Sequence, residues 1–270
     1  MVLPSNKGDV IYSYRYRKAL PRYVREQAPA GMEWIIRGAG DGKYTFQLAK
    51  IVRIIPTEGL PVVNLPDATP QIVIRYSSSK DDEQALLAKV RYNRLIDVFL
   101  SITATSLQNH LRTKVKGIGQ IEIDEFYVGV DWSGRHFVVP LQAKRGSDKL
   151  AVVQIEQDLA FCKEQYPHAI ARPVAAQFAE DKIVMFELAI GGEDIAVHPV
   201  QERHYKLTPA AAISDAALDA YSVAASKELA AASPLTTTPP PASSASSPPS
   251  EPHPDNAPGG EERPNDPLTD

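Results

Sequence analysis

The chain has 270 residues, of which 43% are hydrophobic, a composition that is typical of a globular protein with a packed core. Its single cysteine, Cys162, excludes an intramolecular disulfide and a zinc site built from several cysteines. The formal net charge is -4, but residues 251–270 hold six acidic residues and one arginine, so the rest of the chain is nearly neutral. A near-neutral body is compatible with nucleic-acid binding, because local patches of charge decide such binding.

The distribution of apolar residues along the chain does not indicate a membrane protein. The first ten residues include Pro4, Asn6 and Asp9 and lack the apolar core of a signal peptide. No run of apolar residues approaches the length of about 18 that a membrane-spanning helix needs. We therefore expect no membrane partner and a cytoplasmic location.

The first region, residues 1–79, has a composition that predicts β structure. Residues 33–37, 44–55 and 71–76 are rich in isoleucine, valine, tyrosine and phenylalanine, which favour strands. The glycine-rich segment 38–42 indicates a turn between the first two of them. Tyrosines alternate with arginines and lysine over residues 12–25, which is compatible with a surface for nucleic acid or with a strand and loop whose polar side chains face solvent.

The second region, residues 80–209, combines helices and strands. Apolar residues recur at helical spacing from Ala88 to Ile102, and Ser106 is expected to cap a short turn that ends near Leu111. Two strands, a helix over residues 150–163 and strands over 170–178 and 183–188 follow. Cys162 belongs to the buried face of that helix, and Pro173 predicts an edge or a bulge. This order predicts an α/β (α+β) fold, with a mixed sheet flanked by helices.

The C-terminal segment differs in composition from everything before it. Residues 210–232 are alanine-rich and compatible with a helix. Residues 233–270 hold 11 of the 23 prolines and no aromatic residue. Such a segment cannot bury enough apolar surface to offset its chain entropy, so we predict a disordered, acidic tail.

A β-hairpin over residues 120–144 carries the polar residues of greatest interest. Trp132, Ser133 and Gly134 suit a three-residue turn, with Gly134 in the left-handed conformation. This turn places Asp124 opposite Gln142 and Glu122 opposite Lys144, with all four side chains on one face. A turn of two or four residues would shift the register and place Glu125, not Asp124, opposite Gln142.

The four polar side chains lie on strands whose other positions are apolar, and a buried carboxylate is costly unless it is paired or binds a metal. A divalent cation would bind the carboxylate of Asp124, the amide oxygen of Gln142 and the backbone carbonyl of Ala143. Such a cation acidifies a bound water for attack on phosphorus, and Lys144 would orient that water or stabilise charge on the phosphate. A buried salt bridge of Asp124 or Glu122 with Lys144, without catalysis, is the structural alternative.

Basic residues flank the hairpin and are candidates for contacts with a phosphate backbone, although a solvated basic loop explains them equally well. They are Arg112, Lys114, Lys116, Arg145 and Lys149. Gln154 and Gln157 lie on or near the polar side of the second helix, where they would face solvent or touch substrate. We interpret His110 and His136 as structural or surface residues, because their spacing fits no metal site.

The hairpin pattern that ends in glutamine, any residue and lysine resembles the PD-(D/E)xK superfamily of nucleases. It is most similar to the branch in which glutamine replaces glutamate, as in Mrr-type restriction endonucleases. A longer stretch, from RYNRLIDVFL at residue 91 to ERHYKL at residue 202, resembles bacterial proteins described as endonucleases. Two features depart from the superfamily pattern: Gln142 is neutral, and Ile123 stands where proline would precede the aspartate.

The resemblance implies a restriction-endonuclease-like core at residues 80–209 and a metal-dependent endonuclease that hydrolyses phosphodiester bonds. It implies Asp124, Gln142 and Lys144 as site residues, to which the register adds Glu122. We expect Mg²⁺ or Mn²⁺ as cofactor and nucleic acid, with DNA preferred, as partner. A homodimer and partners from a bacterial defence system are further expectations. The alternative is a catalytically inactive nuclease fold that serves as a nucleic-acid-binding or assembly subunit.

Overall fold

The computed structural model describes residues 7–16, 18–50, 55–76, 83–144, 152–191 and 196–231. The chain divides into two compact units, Met1–Ala220 and Tyr221–Asp270. In the second unit the described part is helical, and it is the C-terminal part of α7 (Asp215–Ala231). That helix lies in the alanine-rich segment for which a helix was expected, whereas the predicted disordered segment 233–270 lies outside the described residues.

The N-terminal part of the first unit mixes helices with a small sheet. Its elements are α1 (Lys7–Tyr16), α2 (Arg22–Arg25), β1 (Met32–Gly38), β2 (Tyr44–Lys50), β3 (Val62–Pro66) and α3 (Gln71–Tyr76). The strands β1 and β2 pair antiparallel across the predicted glycine turn, in which Gly40 and Gly42 have positive φ. Arg37 at the end of β1 donates from Nε to Glu156 Oε2 at 2.8 Å, which ties this small sheet to the rest of the unit.

Two expectations for this part were wrong. The alternation of tyrosine and arginine after residue 12 lies partly in α1, not in a strand. Residues 71–76 were predicted as a strand, but they form α3. The carbonyl of Pro70 accepts hydrogen bonds from the amides of Val73 and Ile74, which starts a helical turn. Ile72 is 75% exposed, so its β-branched side chain finds no sheet to pack against and strand propensity does not prevail.

The apolar stripe from Ala88 to Ile102 forms two helices, α4 (Glu83–Tyr92) and α5 (Leu95–Leu100). Arg94 separates them with a left-handed φ of 50°. The capped turn expected from Ser106 to Leu111 was wrong, because these residues lie in the long strand β4 (Thr103–Val115). Asp97 accepts the amide of Ala104 at 2.9 Å and so directs the chain from α5 into that strand.

The large sheet follows the order β3-β10-β9-β8-β6-β5-β4, with β7 paired to β6 as an eighth strand. Its remaining strands are β5 (Gly119–Val130), β6 (His136–Lys144), β7 (Ile170–Ala171), β8 (Val174–Ala179), β9 (Lys182–Gly191) and β10 (Ala196–Thr208). The pairs β6–β8, β6–β7 and β3–β10 are parallel, and the other pairs are antiparallel. Pro173, which lacks an amide donor, lies in the interruption between β7 and β8.

Helices cover both faces of this sheet, which confirms the predicted mixed class. The helices α4 and α5 pack against Leu141, Ala143 and their neighbours on one face. On the other face α6 (Val152–Gln165), which connects β6 to the parallel strand β8, packs Ile155 and Phe161 against the sheet. Cys162 is buried there as expected, and burial raises the pKa of its thiol to about 12. In the described part of the chain, no helix has the length and apolar character to cross a membrane.

Candidate active site

The β5–β6 hairpin has the predicted turn and register. Gly134 has a φ of 79°, and its amide donates to the carbonyl of Asp131 at 3.1 Å. Val130 pairs with His136 and Glu125 pairs with Leu141. The alternative register is therefore excluded, because Glu125 lies opposite Leu141 and not opposite Gln142. The hairpin is also central, with β4 on one side and β8 on the other.

The described ladder between β5 and β6 stops at Glu125 and Leu141, just before Asp124 would meet Gln142. Here the amide of Ala143 donates to a side chain, Oδ2 of Asp124, at 2.8 Å. The other edge of β6 remains paired, with Ala143 beside Ala176 in the parallel ladder with β8. The register therefore brings Asp124 and Gln142 to the point where the hairpin opens, although they are not ladder partners as expected.

Gln142 is fully buried and bridges two residues of α6. Its Nε2 donates to Asp158 Oδ2 at 2.9 Å, and its Oε1 accepts from Gln154 Nε2 at 3.0 Å. The same Nε2 lies 3.4 Å from the backbone carbonyl oxygen of Glu122. Gln142 thus joins the open end of the hairpin to the helix that covers it.

Two carboxyl groups in this cluster have raised pKa values. Burial raises the pKa of Asp124 and the carboxylate of Glu122 adds to this, whereas Lys144 and the amide of Ala143 oppose it. Burial also raises the pKa of Asp158 well above its usual range, and the charge of Asp124 raises it further. The hydrogen bond from Gln142 and the charge of Lys144 lower this pKa. Lys144 therefore acts on both carboxyl groups. Burial away from water destabilises the charged form of each carboxyl group.

Glu122 lies at the half-exposed rim of this cluster. Its Oε1 is 3.2 Å from Arg112 Nη2 and 3.6 Å from His110 Nδ1. His110 has a φ of 48°, and its Nε2 lies 2.7 Å from Gln84 Nε2. Arg112, predicted to contact phosphate, is thus engaged with a predicted site residue, and His110, interpreted as structural or surface, joins the same group.

The other predicted phosphate contacts are less closely associated with the cluster. Lys114 Nζ forms an ion pair with Asp41 at 3.1 Å, and the backbone amide of Lys116 donates to Glu164 at 3.0 Å. Both lysines are exposed. Arg145 and Lys149 lie outside the described residues. The backbone carbonyl of Ala143 stays a predicted ligand, because the contact that the structure gives is made by its amide.

Sequence reasoning missed Asp158 and misplaced Gln157. Gln157 is buried, although it was placed on or near the polar side of the helix, whereas Gln154 is part-exposed and contacts Gln142. A signal for Asp158 was present, since it follows Ile155 by three positions and precedes Cys162 by four. It therefore lies in the same stripe as the buried residues that define the helix face. A carboxylate in an apolar stripe requires a specific partner.

The donor atoms in this cluster are oxygens of two carboxyl groups and one carboxamide. Mg²⁺ accepts such hard ligands, often only one or two carboxylates, and keeps several waters. Oδ1 of Asp158 is buried and has no hydrogen-bond partner among the described residues, so an oxygen is left for such an ion. In the described ranges no group of three or more histidine, cysteine, aspartate or glutamate side chains is placed to hold a metal. Oxygen donors of this kind suit Mg²⁺ or Mn²⁺ better than a soft metal.

Comparisons with known proteins leave the family open. No protein-family model matches this chain, and a comparison with curated proteins finds no match. The functional argument therefore depends on the residues and the geometry of the open end of the hairpin.

Proposed function

We propose that the protein is a metal-dependent endonuclease that hydrolyses phosphodiester bonds, with DNA as the expected substrate and Mg²⁺ or Mn²⁺ as cofactor. The observation that carries the proposal is the part-buried carboxyl group of Asp124. It lies where the β5–β6 ladder opens, beside Lys144 and Gln142. A nuclease of this kind needs a carboxylate for the cation and a lysine for the phosphate within one cluster.

In this proposal Asp124 and Gln142 hold the cation. Asp124 is fixed through Oδ2 by the amide of Ala143, which leaves its other oxygen for a ligand bond. The Oε1 of Gln142 accepts one hydrogen bond from Gln154, and a carbonyl oxygen has a second lone pair. When bound, the cation supplies Lewis-acid activation of water and neutralises charge on the phosphate.

The remaining residues act on the substrate. The Lys144 ammonium donates to a non-bridging phosphate oxygen and stabilises its charge as the bond to the leaving oxygen breaks. The carboxylate of Glu122, at the half-exposed rim, orients a water by accepting a hydrogen bond. Exposed Lys116 is available to a phosphate beside the scissile bond, and Lys114 would have to exchange Asp41 for a phosphate.

The structural alternative was a simple salt bridge between a carboxylate and Lys144. Among the described residues Lys144 has no ion pair within 4.0 Å. Its charge nevertheless acts on both Asp124 and Asp158. A lysine that is near two carboxyl groups but bonded to neither is available to a substrate phosphate, which favours the catalytic interpretation.

One observation favours a second candidate, an inactive nuclease fold that binds nucleic acid or serves in an assembly. Both polar groups of Gln142 already have protein partners, and Gln142 contributes no negative charge to a cation site. This candidate predicts salt-sensitive nucleic-acid binding or assembly without turnover.

Cleavage of supercoiled plasmid and of labelled DNA and RNA oligonucleotides, with Mg²⁺ or Mn²⁺, tests the proposal. We expect the wild type to cleave and the variants Asp124→Ala and Lys144→Ala to lose cleavage. Equal cleavage by all three proteins would contradict the assignment of the site. Metal-independent binding without cleavage by the wild type would favour the second candidate.

A further inference from the structure

Asp158 is a buried acid whose position the hairpin residues alone do not explain. Its side chain comes from α6 and is 1% exposed. One oxygen, Oδ2, accepts from Gln142 Nε2 at 2.9 Å. The other, Oδ1, is buried and finds no partner among the described residues. A carboxyl oxygen without a partner in a buried site is costly, so a ligand from outside the chain is the simplest way to satisfy it.

The surroundings of Asp158 limit what that ligand is. The carboxyl groups of Asp124 and Asp158 are hydrogen-bonded to adjacent residues of β6, and the charge of Lys144 acts on both. Each carboxyl group is held by one oxygen only, Asp124 by the amide of Ala143 and Asp158 by Gln142. Two acids at neighbouring positions favour a cation over an anion as the ligand of their remaining oxygens. A divalent cation would relieve their repulsion and accept the remaining oxygens.

We propose that Asp158 is a further ligand of the divalent cation, so that α6 contributes a carboxylate from across the site from Asp124, with Gln142 between them. This inference rests on the proposed metal-dependent function. It names a ligand set of two carboxylates and one carboxamide oxygen, the remaining positions being water. It also gives α6 a role in cation binding, because Gln154 and Asp158 fix the Gln142 amide from the same helix. The neutral Gln142 is then compensated by an acid that the hairpin motif does not contain.

Mn²⁺ binding to the full-length protein, measured by calorimetry and by electron paramagnetic resonance, tests the inference apart from cleavage. We expect Asp158→Asn and Asp158→Ser to weaken Mn²⁺ binding by about 10-fold or more, since even residues that only orient ligands change affinity by about 10–100-fold. Glu164→Gln, which removes an exposed acid from the same helix, is the matched control and should leave the affinity unchanged. Any weak binding of Mn²⁺ to the acidic residues of the tail is common to all variants and cancels in the comparison. Circular dichroism verifies that each variant is folded.

A measurement on the wild-type chain covers the case in which both Asp158 variants fail to fold. Fe²⁺ placed in the site, with ascorbate and peroxide, cleaves the backbone next to bound metal. We expect fragments that end near both Asp124 and Asp158. Fragments near Asp124 alone, or Mn²⁺ binding that is unchanged in a folded Asp158 variant, would overturn the inference and leave the proposed function intact. Absence of Mn²⁺ binding and of Fe²⁺ cleavage near either residue in the wild type would overturn both.

Discussion

The two ends of the β5–β6 hairpin each combine an aspartate with a basic residue, but they use the pair in opposite ways. At the turn, Asp131 Oδ1 accepts from the amide of Ser133 and the amide of Arg135, and Oδ2 accepts from Arg135 Nε at 2.6 Å. At the open end, Asp124 has the amide of Ala143 as its donor and Lys144 nearby without an ion pair among the described residues. The turn pair is complete, whereas the open pair has capacity for a further ligand.

The pKa values of the two aspartates express this difference. Burial would raise the pKa of Asp131, but the hydrogen bonds from Arg135 and Ser133 outweigh it and lower the pKa well below its usual range. For Asp124 burial prevails, and the pKa is raised. A carboxylate whose neighbours in sequence supply its donors stabilises a turn, and one that must find distant partners is a candidate for function.

The largest effect on the cleavage rate is expected when Lys144 and Arg135 are replaced by methionine, one at a time. Lys144→Met should lower the cleavage rate by about 10²–10³-fold, the size seen when one preorganised charge-stabilising donor is removed. Arg135→Met should leave the rate per folded molecule unchanged, because the contacts of Arg135 are with Asp131 and Phe137 at the turn end of the hairpin. Plasmid cleavage under single-turnover conditions measures both. Similar losses in the two variants would remove the distinction between the ends of the hairpin.

The hydrogen bonds of Gln142 at the open end of the hairpin can be tested through the free energy of unfolding. Gln142→Leu leaves Asp158 Oδ2 and Gln154 Nε2 without their partner in a buried site, so we expect the free energy of unfolding to fall by about 1–3 kcal/mol. Gln120→Leu, at an exposed position near the start of the same hairpin, is the control and should change it little. Urea unfolding followed by circular dichroism gives both values. An unchanged stability in Gln142→Leu would mean that the bridge from β6 to α6 does not form.

The opposite pKa directions predict opposite pH dependences of stability. A group with a lowered folded-state pKa, such as Asp131, contributes stability above its unfolded pKa, and this contribution is lost as the pH falls. A group with a raised pKa, such as Asp158, favours the folded state when protonated, and stability is lost as the pH rises above the unfolded value.

Without metal, Asp131→Asn should therefore destabilise the protein at neutral pH, and Asp158→Asn should stabilise it there relative to the wild type. The two differences should shrink as the pH falls, because Asp158 is then protonated in both states and Asp131 gains a proton in the unfolded state before it does in the folded state. Thermal unfolding from acid to neutral pH in the presence of EDTA measures both. Stability changes of the same sign in the two variants at neutral pH would contradict the opposite roles assigned to Asp131 and Asp158.

The smallest effect is expected from removing residues 233–270, the predicted disordered tail. The composition of that segment predicts no ordered contact with the hairpin, so cleavage and Tm should change little. Cleavage and thermal unfolding of a chain ending at residue 232 test this. A large loss of cleavage would give the tail a function that its composition does not predict.

The parts of the fold that were predictable have local causes. Asp131, Ser133 and Gly134 are close in sequence, and the turn they form set the register that brings Asp124 towards Gln142. The alternation of buried residues from Gly119 to Glu125 in β5 likewise follows from neighbours two positions apart, whereas β6 is buried without a break from Phe137 to Ala143. Residues 71–76 show the limit of this reasoning, since these β-branched residues form a helix after Pro70 and not a strand.

The parts that were not predictable depend on distant contacts. Lys114 pairs with Asp41, which is 73 positions away, so its basic charge could not be assigned to a phosphate surface from sequence. Asp158 reaches Gln142 from the next element, and its burial shows only when the helix face is matched to the sheet. Glu125, next to Asp124, bonds Arg91 on α4 at 2.8 Å and so belongs to the opposite face.

The most direct test of the central claim is the initial rate of plasmid cleavage as a function of Mg²⁺ concentration, for the wild type and Asp124→Asn. We predict a saturable dependence in the wild type that EDTA reverses, and no Mg²⁺-dependent cleavage in Asp124→Asn. Cleavage that is equal in the two proteins, or a wild type that cleaves at no concentration of Mg²⁺ or Mn²⁺, would contradict the claim that the open end of the hairpin is a catalytic metal site.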